Sequence, residues 1–317
     1  MRKYILKRIL QAVPLLFGVT VLSFLIMHAA PGGPLAMYEM NPKVSAADIA
    51  RMRAILGLDL PLHQQYWNWL TSILRGNWGY SLITGLPVAG LIAQRLPATL
   101  QLMFASFLFS VAVAVPVGIL SAIRRYSALD YTVAALSFAG VSLPVFWSGL
   151  MLMLLFSAKL RLLPSSGMFT VGLEASLTDR IRHLILPVTV LSIANIANWS
   201  RYVRSSLLEV IRQDYIQTAR AKGLSEKIVI YKHALKNAMI PVMTVMGIQI
   251  PLFFTGAVIT ETIFAWPGMG RLYYTAVMQR DYSLLMGILT ISAALVIVFS
   301  LLTDIVYAFI DPRIKFE

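Results

Sequence analysis

Six long windows without an acidic or a basic side chain decide what this chain can become: residues 9–29, 98–123, 131–158, 184–200, 238–260 and 282–303. A helix needs about 20 mostly apolar residues to cross the hydrocarbon core of a bilayer, and a charge at its centre costs about 2.5–3.5 kcal/mol. Each window therefore reads as a spanning helix, the fourth being the shortest and most polar. Only 13% of the 317 residues are charged, about half the share of an ordinary soluble domain. The expected fold class is an all-α integral membrane protein with six transmembrane helices. The first window follows Lys7 and Arg8 and ends near His28-Ala29-Ala30, which resembles a signal-peptide cleavage region. Its apolar run is longer than a signal core and five more windows follow, so it reads as an uncleaved first helix.

Basic residues set the orientation. With both termini in the cytoplasm, sixteen Lys and Arg lie inside: Arg2, Lys3, Lys7, Arg8, Arg124, Arg125, eight at positions 201–236, Arg313 and Lys315. Eleven lie outside, but five of those fall in the 30–97 loop, which is too long to count in the positive-inside rule. The net charge of +13 then reads as topology and as contact with the anionic headgroups of membrane lipids. Its scatter supplies no contiguous basic surface for nucleic acid.

Several chemistries are excluded. There is no cysteine, hence no disulfide, thiolate zinc site or iron–sulfur ligation. The chain lacks G-x-x-x-x-G-K-[ST] and has no Gly-Lys pair, so it does not hold ATP by the usual phosphate loop, and no cofactor is expected in it. His28, His63, His183 and His233 are scattered and match no metal-ligand spacing. An ion-coupled pump or an intramembrane enzyme needs charged, nucleophilic or metal-binding groups at mid-bilayer depth, and none is visible there. Glu261 and Asp304, near the window ends, read as structural anchors.

The windows do contain uncharged polarity. Ser192, Asn195, Asn198 and Tyr202 follow at steps of three, three and four and share one side of the fourth helix. Gln249, near Gly247 and Pro251, and Gln101 are similar. Two readings stand side by side: hydrogen bonds between helices, or a water-filled path lined by Asn195, Asn198 and Gln249. Pro116, Pro144, Pro187, Pro241 and Pro251 interrupt the helix ladders, which neighbours or cavity water can tolerate.

The long first loop has a helix grammar of its own. Ser45 and Asp48 form a capping box, Ile49, Met52, Ile55 and Leu56 make an apolar face, and Gly57 can end the helix. A second helix starts near Pro61, with Tyr66, Leu70, Ile73 and Leu74 on one side and Gly76 after it. Trp67, Trp69 and Trp78 add aromatic surface. Such an appendage either lies on the bilayer or docks an external partner.

The segment 214–241 is a basic pair of short helices between two apolar windows. Asp214 is an N-cap candidate with Gln217 three residues on, Gly223 can close the helix in a left-handed conformation, and Ser225 can cap the next one. Helix, sharp turn, helix is a shape that a soluble partner can grip, and a surface amphipath held by anionic lipid is the competing account.

The order of local motifs closely resembles that of the permease subunits of binding-protein-dependent ABC importers, in the dipeptide, oligopeptide and nickel group. The motifs are K-R-I-L-Q-A-V-P-L-L, A-P-G-G-P-L, L-G-L-D-L-P-L-H-Q-Q-Y-W-N-W-L, R-G-N-W-G-Y-S-L, R-L-P-A-T-L-Q-L, S-L-P-V-F-W, E-T-I-F-A-W-P-G-M-G-R-L, R-D-Y and D-P-R-I-K. The resemblance implies the type I importer permease fold, a sister permease subunit, two cytoplasmic ATPase subunits that bind ATP and magnesium, and an extracytoplasmic solute-binding protein. It implies transport of short peptides by alternating access, with nickel chelates or oligosaccharides as alternative cargo and an ATP-independent secondary transporter as the remaining rival. It also implies a division into residues 1–94, a first helix plus outer loop; 95–310, the permease core with coupling helices at 214–237; and 311–317, a cytoplasmic tail. The family's Glu-Ala-Ala…Gly motif, whose helix docks in the ATPase, falls on Gln217, Thr218, Ala219 and Gly223, and its Ile-x-Leu-Pro falls on His233, Ala234, Leu235 and Lys236. Glutamate is absent, a form that resembles the peptide and nickel branch. By this likeness Gly223 supplies the turn, Ala219 gives close approach to the ATPase, and Arg220 and Lys222 meet acidic or polar groups on it.

Overall fold

The computed structural model describes residues 2–29, 33, 35–39 and 44–310. The 311–317 tail, with D-P-R-I-K, Arg313 and Lys315, and most of the A-P-G-G-P-L run lie outside the described residues. Helix α1 covers Arg2–Ala29, and the first loop carries α2 (Ala36–Glu39), α3 (Ala46–Ile55) and α4 (Leu62–Leu74). The core follows with α5 (Val88–Ile123), α6 (Ala128–Ser142), α7 (Val145–Leu152, continued by a π-helical stretch to Lys159) and α8 (Leu177–Ile211). Then come α9 (Asp214–Ala221), α10 (Glu226–Ile228, continued by π-helix Val229–Ala234), α11 (Leu235–Gly247), α12 (Val258–Ile263), α13 (Met269–Met278) and α14 (Tyr282–Ile310). Apolar side chains point outward along these rods, as a lipid solvent requires: Leu10, Val13, Leu22 and Ile26 of α1 and Leu136 and Phe138 of α6 are all exposed.

Among the described residues five helices are long and apolar enough to span, and α6 with α7 makes a sixth only as a pair bent by 104°. The 131–158 window therefore is not one straight rod. The break sits at Leu143, which is extended (ψ 127°) because it precedes Pro144. The 184–200 window grows at both ends into the 35-residue α8, its flanking arginines being tolerated at the ends of a span. The 238–260 window divides instead. After α11 it tightens into a 3₁₀ turn, Ile250–Phe254, and reverses at Gly256 before α12.

The first loop is less of an appendage than its sequence suggests. Tyr66 of α4 is buried against Phe24 and Met27 of α1 and joins a core with Val88, Leu91 and Ile92 of α5 and Leu284, Leu285 and Ile288 of α14. Tyr66 and Thr20 share a hydrogen bond of 2.9 Å, and His28 Nε2 meets Gln65 Oε1 at 3.1 Å. Ser45 and Asp48 cap α3 reciprocally, since the Asp48 N–H reaches Ser45 Oγ at 3.1 Å and the hydroxyl donates to the carboxylate at 2.6 Å. Leu74 does not join the inner face of α4. It is 77% exposed, as is the Ile55 end of α3 at 76%.

The E-T-I-F-A-W-P-G-M-G-R run folds into a knot that joins α12, α13 and α5. Glu261 is fully buried. Its Oε1 accepts from Thr99 Oγ1 at 2.8 Å and from the Ala257 N–H at 3.2 Å, while Oε2 accepts from the Arg271 N–H in the first turn of α13 at 3.0 Å. Thr99 in turn accepts from the Met269 N–H at 2.7 Å, and the Trp266 indole donates to the Ala98 carbonyl at 2.8 Å. A buried carboxylate stays only where such donors replace water, and a helix N-terminus adds its favourable dipole. Gly268 is required here for space. A Cβ at that position would lie 2.4 Å from both Glu261 Oε2 and Thr99 Oγ1. Gly268→Ala is expected to lower stability by about 2 kcal/mol, read as a lower thermal unfolding midpoint of the detergent-purified protein.

Candidate coupling site and translocation path

Helix α8 runs through Arg212 and Gln213 into the short helix α9. Gln213, with φ −71° and ψ 147°, holds the N-cap position, so Asp214 is the first helical residue rather than the cap. An acid there still opposes the positive helix end favourably. Ile216 and Ala219 are buried, whereas Gln217, Thr218, Arg220, Lys222 and Gly223 are exposed. The turn after α9 forms because Gly223 adopts φ +78°, the left-handed region in which a side chain is strained. No atom lies within 4 Å of where its Cβ would be, so backbone conformation alone selects glycine. Ser225 occupies the next N-cap position without a side-chain cap bond. The two short helices are also tied across the turn. Arg220 grips Glu226 with Nε–Oε1 at 2.7 Å and Nη2–Oε2 at 3.3 Å, while Asn237 Nδ2 of α11 donates to the Tyr215 hydroxyl of α9 at 2.8 Å.

Three of the residues read as coupling positions have partners within the chain. Ala219 does not lie on an outer docking surface but packs inward with Ile216, Val203, Leu207, Val229 and Ala238. Leu235 is half-buried against the same core. Arg220 already has an acidic partner within the chain. What remains open on the outside is Gln217, Thr218, Lys222 and the Gly223 turn. The inner face of α9 thus shares one core with Ala114 and Ile119 of α5, Trp199 and Val203 of α8 and Val242 and Met246 of α11. Ser206 Oγ adds a hydrogen bond from α8 to the Ala238 carbonyl of α11 at 2.7 Å.

The polar face proposed for α8 separates into two kinds of residue. Ser192 is fully buried and donates to the Ser106 carbonyl of α5 at 3.1 Å, an interhelical bond. Asn195, Asn198 and Gln249 are only half-buried. Asn195 bonds weakly within its own helix, to the Leu191 carbonyl at 3.4 Å, and Asn198 accepts from Arg201 Nη2 at 2.7 Å. Tyr202 is 52% exposed.

A cluster that sequence reading missed lies at the same end of the bundle. Asp130, in the first turn of α6, is 4% exposed. Both its oxygens bind Arg204 of α8, Oδ1 to Nε and Oδ2 to Nη2, each at 2.7 Å. The signal was present as S-A-L-D at 127–130, a capping box: the Asp130 N–H donates to Ser127 Oγ at 3.3 Å. At the other end Asp281, 1% exposed, caps α14 through the Leu284 N–H at 3.2 Å and also accepts from the Ser81 hydroxyl and from the Leu82 N–H at 3.2 Å. Among the described residues no group of His, Asp and Glu could hold a metal ion.

Residues 114–316 match the family model of the binding-protein-dependent transport system inner membrane component, and residues 1–103 match its N-terminal companion model. The chain belongs to this family. It is 46% identical to the oligopeptide transport system permease protein AppB of Bacillus subtilis, with 100% of each chain covered. It is 38% identical to the dipeptide transport system permease protein DppB of Escherichia coli, with 99% of each covered. A chain of the MetNI methionine ABC transporter, solved in inward-facing conformations, covers 70% of this one at 18% identity, with 97% of that chain covered and a TM-score of 0.57. That likeness shows the type I importer permease fold. The protein is therefore a multi-pass permease of the bacterial inner membrane, the transport subunit of an ABC importer with ATPase and substrate-binding partners.

The inward-facing contacts of α9 generate a direct expectation for this permease. Ile216→Ala should cost about 3 kcal/mol of stability by leaving a cavity, whereas Glu226→Gln, on the exposed side of its ion pair, should leave the unfolding midpoint unchanged. Denaturation of the two purified variants checks both.

Proposed function

We propose that this permease imports short peptides, paired with a sister permease around a central path that opens alternately to either side. The cargo rests on the full-length relatives that are named oligopeptide and dipeptide permeases. The observation that carries the coupling is α9, whose inner face belongs to the packed core of α5, α8 and α11 while its outer face stays polar and open. A cytoplasmic ATPase holding the Gln217, Thr218, Lys222 and Gly223 side moves the buried Ile216 and Ala219 with it. Packed helices rearrange between discrete states, so that movement tilts the bundle. Leu235 backs the turn from inside, and Arg220 presents the outer surface in a geometry held by Glu226.

In this reading both termini and α9 face the cytoplasm, in keeping with the basic residues of that side. The chain divides into 1–94, 95–310 and 311–317, with two ATPase subunits supplying bound ATP and magnesium. Asn195, Asn198 and Gln249 line the path, and the first loop receives cargo from the solute-binding protein.

Gly223→Val forces a β-branched residue into the left-handed region. In vesicles carrying the assembled transporter, it should lower trialanine uptake about tenfold while ATP hydrolysis continues. Unchanged uptake per ATP would remove Gly223 from the coupling site. Asn195→Leu should shift the relative uptake of charged and apolar tripeptides; an unaltered profile would return Asn195 to a purely structural part.

A further inference from the structure

The α5–α6 hairpin is clamped to α8 at the α9 end of the bundle by a charged, bidentate contact. Asp130 accepts two bonds from the Arg204 fork at 2.7 Å, one from the Tyr126 N–H at 3.0 Å and one from the Ser121 hydroxyl. That exhausts the carboxylate's good acceptor positions. The pair joins residues 74 apart in sequence. Beside it, α5 and α8 come so close that a Cβ on Gly118 would lie 2.6 Å from the Ser200 carbonyl oxygen and from Val203 Cβ. Val203 and Leu207, which flank Arg204 on α8, are buried in the core that also holds Ile216 and Ala219 of α9. A rigid connection therefore leads from the coupling turn along α8 to Arg204, and from Arg204 to the first turn of α6.

Helix α6 needs such a connection. It is one half of the pair bent by 104°, and the bend at Pro144 interrupts the backbone hydrogen bonds that would carry force along a straight rod. A bidentate Arg–carboxylate contact with excellent geometry resists shear in both directions, whereas apolar packing alone allows helices to slide.

We propose that Asp130 and Arg204 are positioning residues for transport, forming a latch that makes the α6–α7 segment move together with α8 and the coupling turn. The inference rests on the reading of α9 as the coupling helix, and it adds the element through which the motion reaches the broken segment. Removing one partner leaves a buried charge unsatisfied, which also threatens folding. Removing both charges together avoids that cost. The informative variants are thus Asp130→Asn, Arg204→Lys and the double Asp130→Asn/Arg204→Gln.

The test uses the assembled transporter, with its ATPase and binding-protein partners, in lipid vesicles. The chain contains no cysteine, so paired spin labels can be placed at Ala135→Cys on α6 and Glu209→Cys on α8, both exposed positions. With the native latch, the distance between the labels is expected to stay constant when ATP is added. In the double variant it is expected to shift or broaden on ATP addition, with trialanine uptake per ATP falling about tenfold although the amount of assembled complex is restored. Arg204→Lys, which keeps the charge and loses the fork, should fall between. A double variant that recovers both assembly and uptake would show that the pair only stabilises the fold and would overturn the latch, as would a label distance that ignores ATP in every variant. If the native assembly takes up no trialanine while the label distances respond as described, the peptide reading fails and the latch stands.

Discussion

A carboxylate remains in the interior of this protein only where hydrogen-bond donors on both of its oxygens replace water, and three such groups organise the bundle. Glu261, Asp281 and Asp130 are 0%, 1% and 4% exposed. Each receives donors from other elements: Thr99 and the start of α13 for Glu261, Ser81 and Leu82 for Asp281, and Ser121 with Arg204 for Asp130. Helices that face lipid gain little from hydrophobic contact with one another, since lipid tails are equally apolar. Directional bonds therefore carry an unusual share of the specificity here, and they fix which helix lies beside which.

Those three points divide the work. Glu261 pins α12 and α13 to α5 in the middle of the chain's most glycine-dependent turn. Asp281 ties the first loop to the start of α14, which helps to explain why that loop shares a core with α1 and α5. Asp130 stands at the α9 end, next to the core that receives Ile216 and Ala219. A permease worked from outside by ATPase partners needs a stiff route from the gripped helix to the moving spans. Close packing of α5 on α8 together with a charged fork provides one.

Much of the architecture was legible because the bilayer imposes a simple rule on sequence. Charge-free windows located the spans, and the left-handed turn at Gly223 and the capping box at Ser45 and Asp48 follow from local backbone chemistry. What local pattern leaves open has one cause. Periodicity says that Ala219 and Gln217 sit on different sides of α9 but not that the Ala219 side is the one that meets the core. Ser192, Asn195 and Asn198 share a helical face, yet only the position of α5 decides that Ser192 is an interhelical donor and the two asparagines are half-open. Arg220 meets Glu226 only because the turn at Gly223 folds one back on the other.

The amino-acid order by itself determined that the chain is helical, spans a membrane and reverses sharply at Gly223, because hydrocarbon solvation and the steric limits of φ act on a few neighbouring residues at a time. Tertiary structure alone decided which carboxylates are sealed, which face of α9 is held, and that Arg204 reaches Asp130 across 74 residues. Those outcomes depend on how separately stable helices meet, and the free energy of that meeting is set by contacts between residues that no local pattern brings together.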